Sequence, residues 1–292
     1  ANIWGQKISV RYLKSGVKKL ASKKMLGRET SSKGEQAAIK YITKKLKSYK
    51  LEPLGFNYIQ SFYTGFSSKK KNDYYSYSDS AFNIIGFIKG SIKPGEAIII
   101  SGHYDHLGKT SKGIYFGADD NGSGISSILE IVRIFKLAES KGFKPYRSII
   151  FLFFSGEEKG LLGSKHYVEN PLWPLNKTIA NINIDMIGRS DSAHLNDNKY
   201  IYVIGSDKIN PKLHNVVNEV NQKSLSLNLD FKYHDPSDPL RLYYRSDHYN
   251  FAKKGIPVVF YFSGLHSDYH TPNDIYKRIE FDNLLIRVKL IL

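Results

Sequence analysis

The chain has 292 residues, of which 41% are hydrophobic and none is cysteine. The hydrophobic fraction provides for a sizeable core, and the lack of cysteine excludes disulfides, thiolate catalysis and cysteine-ligated metal. No apolar run approaches the ~20 residues that a membrane helix needs. The net charge of +16 is concentrated in residues 1–71, which carry 17 Lys/Arg and 3 Asp/Glu, so we interpret it as a solvated basic face and expect no nucleic-acid partner.

Residues 1–71 are predicted to form a basic, mainly helical N-terminal part. The longest pattern there is an amphipathic helix at 33–49. A polar stretch at 67–80, rich in Lys, Tyr and Ser, is predicted to be an exposed excursion. Because no clear linker or internal repeat is found, we expect a single domain over residues 1–292, with its body at 81–280.

Strands and helices alternate through this body. Apolar or β-branched runs predict strands at 83–88, 97–101, 148–154, 180–184, 200–204 and 257–262. Helical patterns predict helices at 123–140, 210–222 and 246–254, and the stretch at 223–242 is predicted to be irregular. This alternation predicts the α/β class, with a largely parallel sheet and helices on both faces.

Side chains that can bind metal follow four predicted strands and precede one predicted helix. They are His103 and Asp105, Asp119 and Asp120, Glu157 and Glu158, Asp185, and His266 and His270. Because parallel sheets carry their chemistry just beyond the carboxyl ends of the strands, these positions indicate one shared site. In a chain without cysteine, such ligands suit zinc, and their number suits a pair of ions that share a water.

The adjacent carboxylates Glu157 and Glu158, in the stretch FLFFSGEEKG, have two explanations. A lone Glu-Glu pair is usually a solvated acidic loop. Alternatively, a cation neutralises one carboxylate and the other is kept as an acid or base, since two poorly solvated glutamates would otherwise repel each other. The other ligand positions favour the second hypothesis.

Five motifs, GHYDHLG, GADDNGSG, SGEEKGLLGS, NIDMIGR and YHTPND, resemble in this order those of the co-catalytic di-zinc aminopeptidases of peptidase clan MH, the bacterial leucyl aminopeptidase-like zinc exopeptidases. The resemblance runs from about residue 28 to about residue 280. It implies the zinc-exopeptidase (phosphorylase/hydrolase-like) fold, with a mixed sheet of about eight strands, and two Zn²⁺ per chain. One zinc would be held by His103, Asp120 and Asp185, and the other by Asp120, Glu158 and His270.

The same resemblance implies roles beyond metal binding. Glu157 matches the family's general base, and Asp105 matches the carboxylate that orients the first histidine. The peptide bond between Asp120 and Asn121 is expected to be cis.

Other histidines and charged residues near the motifs have structural explanations. His106 is expected to be structural or solvent-facing, and His266 is the alternative to His270 that the HTPND match disfavours. His166, His194, His214, His234 and His248 are expected at the surface. Lys159 and Arg189 are the cations closest to the motifs, and both are expected to be solvated.

The sequence therefore predicts a secreted or periplasmic zinc aminopeptidase that acts on peptides with a free N-terminus. The missing cation beside the metals argues against a carboxypeptidase, which needs one to hold the terminal carboxylate. A glutaminyl cyclase-like or dipeptidase activity stays open on the same fold, while the intact ligand set argues against a non-catalytic scaffold. The predicted secreted or periplasmic location rests on the start at Ala1, which indicates a processed N-terminus, and a cytoplasmic location stays open. The preferred side chain, the biological substrate and the oligomeric state are not predicted.

Overall fold

The computed structural model describes residues 4–65, 79–195, 197 and 199–292. Apart from residues 79 and 80, the predicted excursion at 67–80 lies outside the described residues.

The described chain contains eleven strands and seven α-helices. The strands are β1 (Glu52–Pro53), β2 (Ile59–Tyr63), β3 (Ser80–Ile88), β4 (Lys93–His103), β5 (Lys109–Thr110), β6 (Gly113–Ile114), β7 (Arg147–Phe154), β8 (Thr178–Ile184), β9 (Tyr200–Ile204), β10 (Asn228–Asp230) and β11 (Val258–Phe262). The helices are α1 (Val10–Leu20), α2 (Lys33–Ser48), α3 (Gly124–Glu139), α4 (Leu162–Glu169), α5 (Pro211–Ser224), α6 (His248–Ala252) and α7 (Phe281–Ile291).

Nine of these strands form one mixed sheet in the order β1-β3-β7-β4-β8-β11-β9-β10, with β2 also paired to β3. The strands at its centre, β7, β4, β8 and β11, are parallel. Antiparallel pairs flank them, because β3 runs against β7 and β9 runs against β11. The predicted α/β class and mixed sheet are confirmed. The strands at the centre are parallel, and the antiparallel pairs on either side make the whole sheet mixed.

Alternating side chains of the central strands fill a core on each face of the sheet, and a third, smaller cluster lies around β9 and the end of β11. In β7, Ile149, Phe151 and Phe153 belong to the larger core, and Ile150 and Leu152 belong to the smaller one. Helices α1, α2, α3, α5 and α7 contribute to the larger core, whereas α4 and α6 contribute to the smaller one. The continuous apolar run of β7 is explained by burial on both faces.

The basic N-terminal part packs on the same core as the body. Leu13 and Val17 of α1 and Ile42 of α2 are fully buried in the larger core. The single domain over residues 1–292 stays a prediction, and this packing is consistent with it. In the portion of the chain described, no helix has the length and apolar character that crossing a bilayer requires.

Most predicted elements are present within a few residues of their expected bounds. The stretch 223–242, predicted to be irregular, nevertheless contains the short edge strand β10. Strand β10 has only three residues and the mixed burial of an edge, so it carries no periodic signal. Two of the histidines expected at the surface, His194 and His248, are buried instead.

Candidate metal centre

The predicted metal-binding side chains meet at the carboxyl ends of the central strands. His103 is the last residue of β4, and Asp185 directly follows β8. Glu158 follows β7, and His270 lies in the loop after β11. Asp120 lies in a distorted helical turn, Ala118–Ser123, that leads into α3.

A first group consists of His103, Asp120 and Asp185. The Nε2 atom of His103 lies 3.3 Å from Asp120 Oδ1 and 3.2 Å from Asp185 Oδ1. The other oxygen of Asp185 accepts a hydrogen bond of 2.8 Å from the Ser246 hydroxyl, which orients this carboxylate. All three residues are buried, and one ligand atom from each lies close enough to the others to share a metal ion.

A second group contains Asp120, Glu158 and His270. The Nε2 atom of His270 lies 3.1 Å from Asp120 Oδ2 and 3.1 Å from Glu158 Oε2. Because Asp120 offers one oxygen to each group, its carboxylate can bridge two ions. The peptide bond between Asp120 and Asn121 is cis, as predicted.

Asp105 ties two strand ends together behind the first group. Its carbonyl oxygen lies 3.2 Å from His103 Nδ1, and its carboxylate oxygen Oδ1 lies 3.7 Å from the same nitrogen. The carboxylate also accepts hydrogen bonds from the backbone amides of Glu157 and Glu158, at 3.2 and 3.3 Å, and from the Thr30 hydroxyl at 2.9 Å. Asp105 can therefore orient His103 and hold the two glutamates in place.

Glu157 differs from Glu158 in its surroundings. Burial raises the pKa of Glu157 well above its usual range, and the nearby carboxylates of Glu158 and Asp185 raise it further against the opposing effect of His103. In the part of the chain that the structure describes, no hydrogen-bond donor contacts the Glu157 carboxylate, although this residue lines the pocket beside the first group. Its surroundings therefore favour the protonated carboxyl, whereas those of Glu158 favour the charged one.

His106 was expected to be structural or solvent-facing, and the structure excludes exposure to solvent. The side chain is buried, and its Nδ1 atom lies 2.8 Å from Glu158 Oε1 and 3.6 Å from Asp120 Oδ2. His106 thus contacts the same two carboxylates as His270. The alternative ligand His266 instead lies 3.4 Å from Asp119, outside both groups.

The open side of the cluster is a pocket with mixed lining. It is lined by His103, Asp120, Glu157, Asp185, Met186, Leu242, Arg245, Ser246, Phe260, Phe262, Leu265 and Tyr269. Of its apolar residues, Met186, Leu242 and Phe260 are each 3% exposed. These residues give the cavity, whose volume is about 30 Å³, an apolar wall beside the metal-binding groups.

Arg245 is a cation beside the metal-binding groups that lies outside the five motifs. Its side chain is exposed, lines the same pocket as the metal-binding residues and donates a hydrogen bond of 3.2 Å to the Tyr269 hydroxyl. The expectation that no cation adjoins the metals is therefore wrong. Arg245 is not a close neighbour of the motifs in sequence, and it reaches the pocket from the segment before α6.

Arg28 is a cation that sequence reasoning missed. It is fully buried and donates hydrogen bonds of 2.8–2.9 Å to the carbonyl oxygens of Tyr104, Leu20, Phe116 and Gly117, with a longer bond to that of Asp120. Burial lowers its pKa to about 10, so it stays charged at neutral pH. Arg28 thereby joins the segment after β4 to the turn that carries Asp120.

The electrostatics of the two groups fit a pair of divalent cations. Burial would lower the pKa of both His103 and His270, yet the surrounding carboxylates raise the pKa of His103 well above its usual range and that of His270 to about 10. The cluster thus attracts positive charge strongly. Imidazole and carboxylate oxygen are ligands that zinc accepts.

Comparisons with known proteins agree with this geometry. The model of peptidase family M28 matches residues 83–292. Aminopeptidase YwaD of Bacillus subtilis is 39% identical over 110 residues, which cover 37% of this chain and only 22% of that protein.

Solved structures with the same fold include both peptidases and cyclases. BSAP, a zinc aminopeptidase from Bacillus subtilis, matches with a TM-score of 0.75 at 17% identity, covering 97% of this chain and 93% of that one. A Bacteroides thetaiotaomicron glutaminyl cyclase bound to N-acetylhistamine matches with a TM-score of 0.72 at 18% identity, covering 97% and 96%. At these identities the likeness shows the fold alone. The family model, in contrast, spans most of the sequence, and the chain therefore belongs to peptidase family M28.

Proposed function

We propose that this protein is a two-zinc aminopeptidase that removes apolar residues from peptides with a free N-terminus. The observation that carries the proposal is the pair of residue groups that share Asp120, with the carboxylate of Glu157 beside them. The first group adds His103 and Asp185, and in the second Glu158 is contacted by two histidines, His106 and His270. His103, Asp120 and Asp185 would hold one zinc, and Asp120, Glu158 and His270 the other. Zinc bound there would lower the pKa of a bound water and polarise the scissile carbonyl.

Glu157 is proposed to move the proton during hydrolysis. Its carboxylate accepts a proton from the attacking water and then passes that proton to the leaving amine. The raised pKa favours a group that holds a proton between these two steps. Asp105 supports the reaction by fixing the backbone of both glutamates and the ring of His103.

The pocket supports an apolar residue at the substrate's N-terminus. Met186, Leu242 and Phe260 line it beside the cluster, so the wall that a substrate's N-terminal side chain would meet is apolar, and contact with that wall would remove apolar surface from water. The carboxylates around the cluster favour a free α-ammonium group over a blocked one. We expect leucyl and methionyl substrates to be cleaved faster than alanyl or glutamyl ones.

The experiment is a panel of aminoacyl chromogenic substrates, free and N-acetylated, assayed with and without a chelator. We expect kcat/KM to fall at least a hundredfold on acetylation, activity to disappear on chelation, and elemental analysis to give close to two zinc ions per chain. Full activity after chelation, or equal hydrolysis of blocked and free substrates, would contradict the proposal.

A carboxypeptidase or dipeptidase activity is the second candidate, and Arg245 is the observation that favours it. Its guanidinium lines the pocket and could hold a terminal carboxylate. A tripeptide with three different residues separates the candidates, because the first product is its N-terminal residue in one case and its C-terminal residue in the other. Arg245→Gln should leave the N-terminal release of a C-terminally amidated peptide unchanged within about threefold if the aminopeptidase proposal is right.

A cyclase activity is tested in the same way. A peptide that begins with glutamine should lose that residue and release no ammonia, because His103 and Asp185 complete a first group beside the second. Ammonia release with a pyroglutamyl product would assign the cyclase reaction instead.

A further inference from the structure

The basic N-terminal part contains a groove that the catalytic proposal does not use. We propose that this lysine groove, between α2 and the segment that follows α1, binds an acidic peptide segment that carries an apolar side chain. Its cavity volume is about 680 Å³, and its lining includes Lys19, Lys24, Lys40, Lys44 and Lys45. None of the metal-binding residues lines it.

The lysines come from helices on both sides of the groove. Lys40 and Lys44 are one helical turn apart on α2, with Lys45 beside them. Lys19, near the end of α1, and Lys24, in the short helix Lys23–Arg28, face them across the cavity. Five ammonium groups from three helices therefore surround a single concavity.

These charges are not compensated within the described chain. No Asp or Glu lines the groove, and the lysines found in ion pairs, such as Lys93 and Lys159, are elsewhere. Like charges one helical turn apart, such as Lys40 and Lys44, destabilise a helix by a few tenths of a kcal/mol. A ligand of opposite charge would relieve this repulsion.

The base of the groove is apolar. Met25 is 1% exposed, and the half-buried ring of Tyr41 and the methyl group of Ala37 complete the lining beside it. A volume of this size lies in the ~300–1,000 Å³ range of ligand pockets and can take a side chain as well as a stretch of backbone. The combination of an apolar base and a cationic margin matches a peptide in which acidic residues flank a leucine or phenylalanine.

Two other anionic partners fit the groove less well. A phosphodiester chain has no aliphatic group for the apolar base, and all five cations are lysine, whereas bidentate phosphate recognition favours arginine. A membrane surface is flat and contacts protruding side chains rather than a concavity. We therefore assign the groove to a peptide.

The test is fluorescence anisotropy with a labelled peptide of four glutamates around a Leu-Phe pair, blocked at both ends so that an exopeptidase cannot consume it. We expect saturable binding at 50 mM NaCl, and at least tenfold weaker binding at 500 mM NaCl because the contacts are ionic. Lys40→Glu/Lys44→Glu should also weaken binding at least tenfold. The control Lys141→Glu/Lys144→Glu, which makes the same charge change at exposed lysines outside the groove, should bind within twofold of the native chain.

Thermal unfolding checks that the variants are folded, and Lys40→Gln/Lys44→Gln replaces the charge-reversed pair if that pair does not fold. The proposal is overturned if the peptide does not bind at low salt, or if the groove and control variants weaken binding equally. It is also overturned if a DNA duplex or phosphatidylserine vesicles bind through Lys40 and Lys44 while the peptide does not. Because the probe is blocked and no turnover is measured, failure here is independent of the proposed peptidase function.

Discussion

At the scale of single residues, Glu157 and Glu158 show how two adjacent carboxylates acquire different chemistry. Burial and the Asp120 charge would raise the pKa of Glu158, but hydrogen bonds from His106 and His270 bring it below the usual value. Glu157 has no such donors in the described chain, and its pKa is raised. One glutamate is therefore suited to hold metal, and the other to exchange a proton.

Substitution with glutamine should separate these two roles. Glu157→Gln keeps the carbonyl oxygen but removes the proton acceptor, so we expect both zinc ions to remain while kcat falls by ~10²–10⁴-fold or more. Glu158→Gln weakens a ligand, so we expect zinc affinity to fall, and this loss should be measurable without any substrate. Zinc titration and steady-state kinetics on both variants check this, and exchanged phenotypes would reverse our assignment.

His106 is expected to hold Glu158 in the orientation that binds metal. Its Nδ1 atom lies 2.8 Å from Glu158 Oε1, and loss of such a supporting contact typically lowers metal affinity 10–100-fold. We expect this loss in His106→Ala and partial recovery in His106→Asn, whose amide can replace the Nδ1 donor.

The comparison with His270→Ala shows which histidine binds the second ion. If His270 is the ligand, competition titration with a zinc chelator should show a larger loss for His270→Ala than for His106→Ala. The opposite order would make His106 the ligand and His270 its support.

At the scale of secondary-structure elements, two buried arginines join segments by binding their carbonyl oxygens. Arg28 joins the segments around Tyr104 and Gly117, which flank the metal-binding turn. Arg287 of α7 donates to the carbonyl oxygens of Ile187, two residues after Asp185, and of Tyr200, the first residue of β9. Both side chains are no more than 1% exposed.

The two arginines provide a matched pair of variants. Arg28→Met and Arg287→Met each leave several buried carbonyl groups without a donor, so we expect each to lower the free energy of unfolding by about 3 kcal/mol or more. Arg28→Met should in addition lower zinc affinity at least tenfold, because the turn with Asp120 loses its attachment. Chemical denaturation and zinc titration check both effects. Equal zinc affinities in the two variants would show that Arg28 is only a structural residue.

The meeting of the candidate metal-binding side chains was predictable where they follow strands with strong apolar signals. The run before Glu157 and the run before Asp185 are buried on the sheet, so their ends could be read directly. Arg28, and the contacts that His106 and Arg245 make, could not be found this way. Their roles depend on contacts with distant segments, and a lone Arg or His has no periodicity that indicates such contacts.

At the scale of the whole molecule, burial of a histidine affects how stability depends on pH. His248 of α6 is fully buried, and its ring stacks on Phe260 with 4.7 Å between centroids. Burial lowers the pKa of His248 to about 3, whereas an unfolded histidine titrates near 6.5. Below pH 6.5 the unfolded chain therefore gains a proton that the folded chain does not.

This difference should destabilise the fold in acid. Between pH 6.5 and about 3, the His248 contribution to the free energy of unfolding should fall by up to ~1.4 kcal/mol per pH unit, and it should be constant above pH 7. In His248→Phe this contribution is removed. Urea denaturation of both proteins from pH 4 to 8 should show a stability difference that changes with pH only below about 6.5, and a difference independent of pH would contradict the argument.

The metal-binding residues are spread along the chain from His103 to His270. During synthesis, the first group is complete in sequence once Asp185 has been made, while the second still lacks its histidine. On the proposed function, the complete centre therefore waits for the loop after β11. If the proposed function is right, a nascent chain that ends before His270 has only half of the proposed centre, and the order of translation itself delays the appearance of activity.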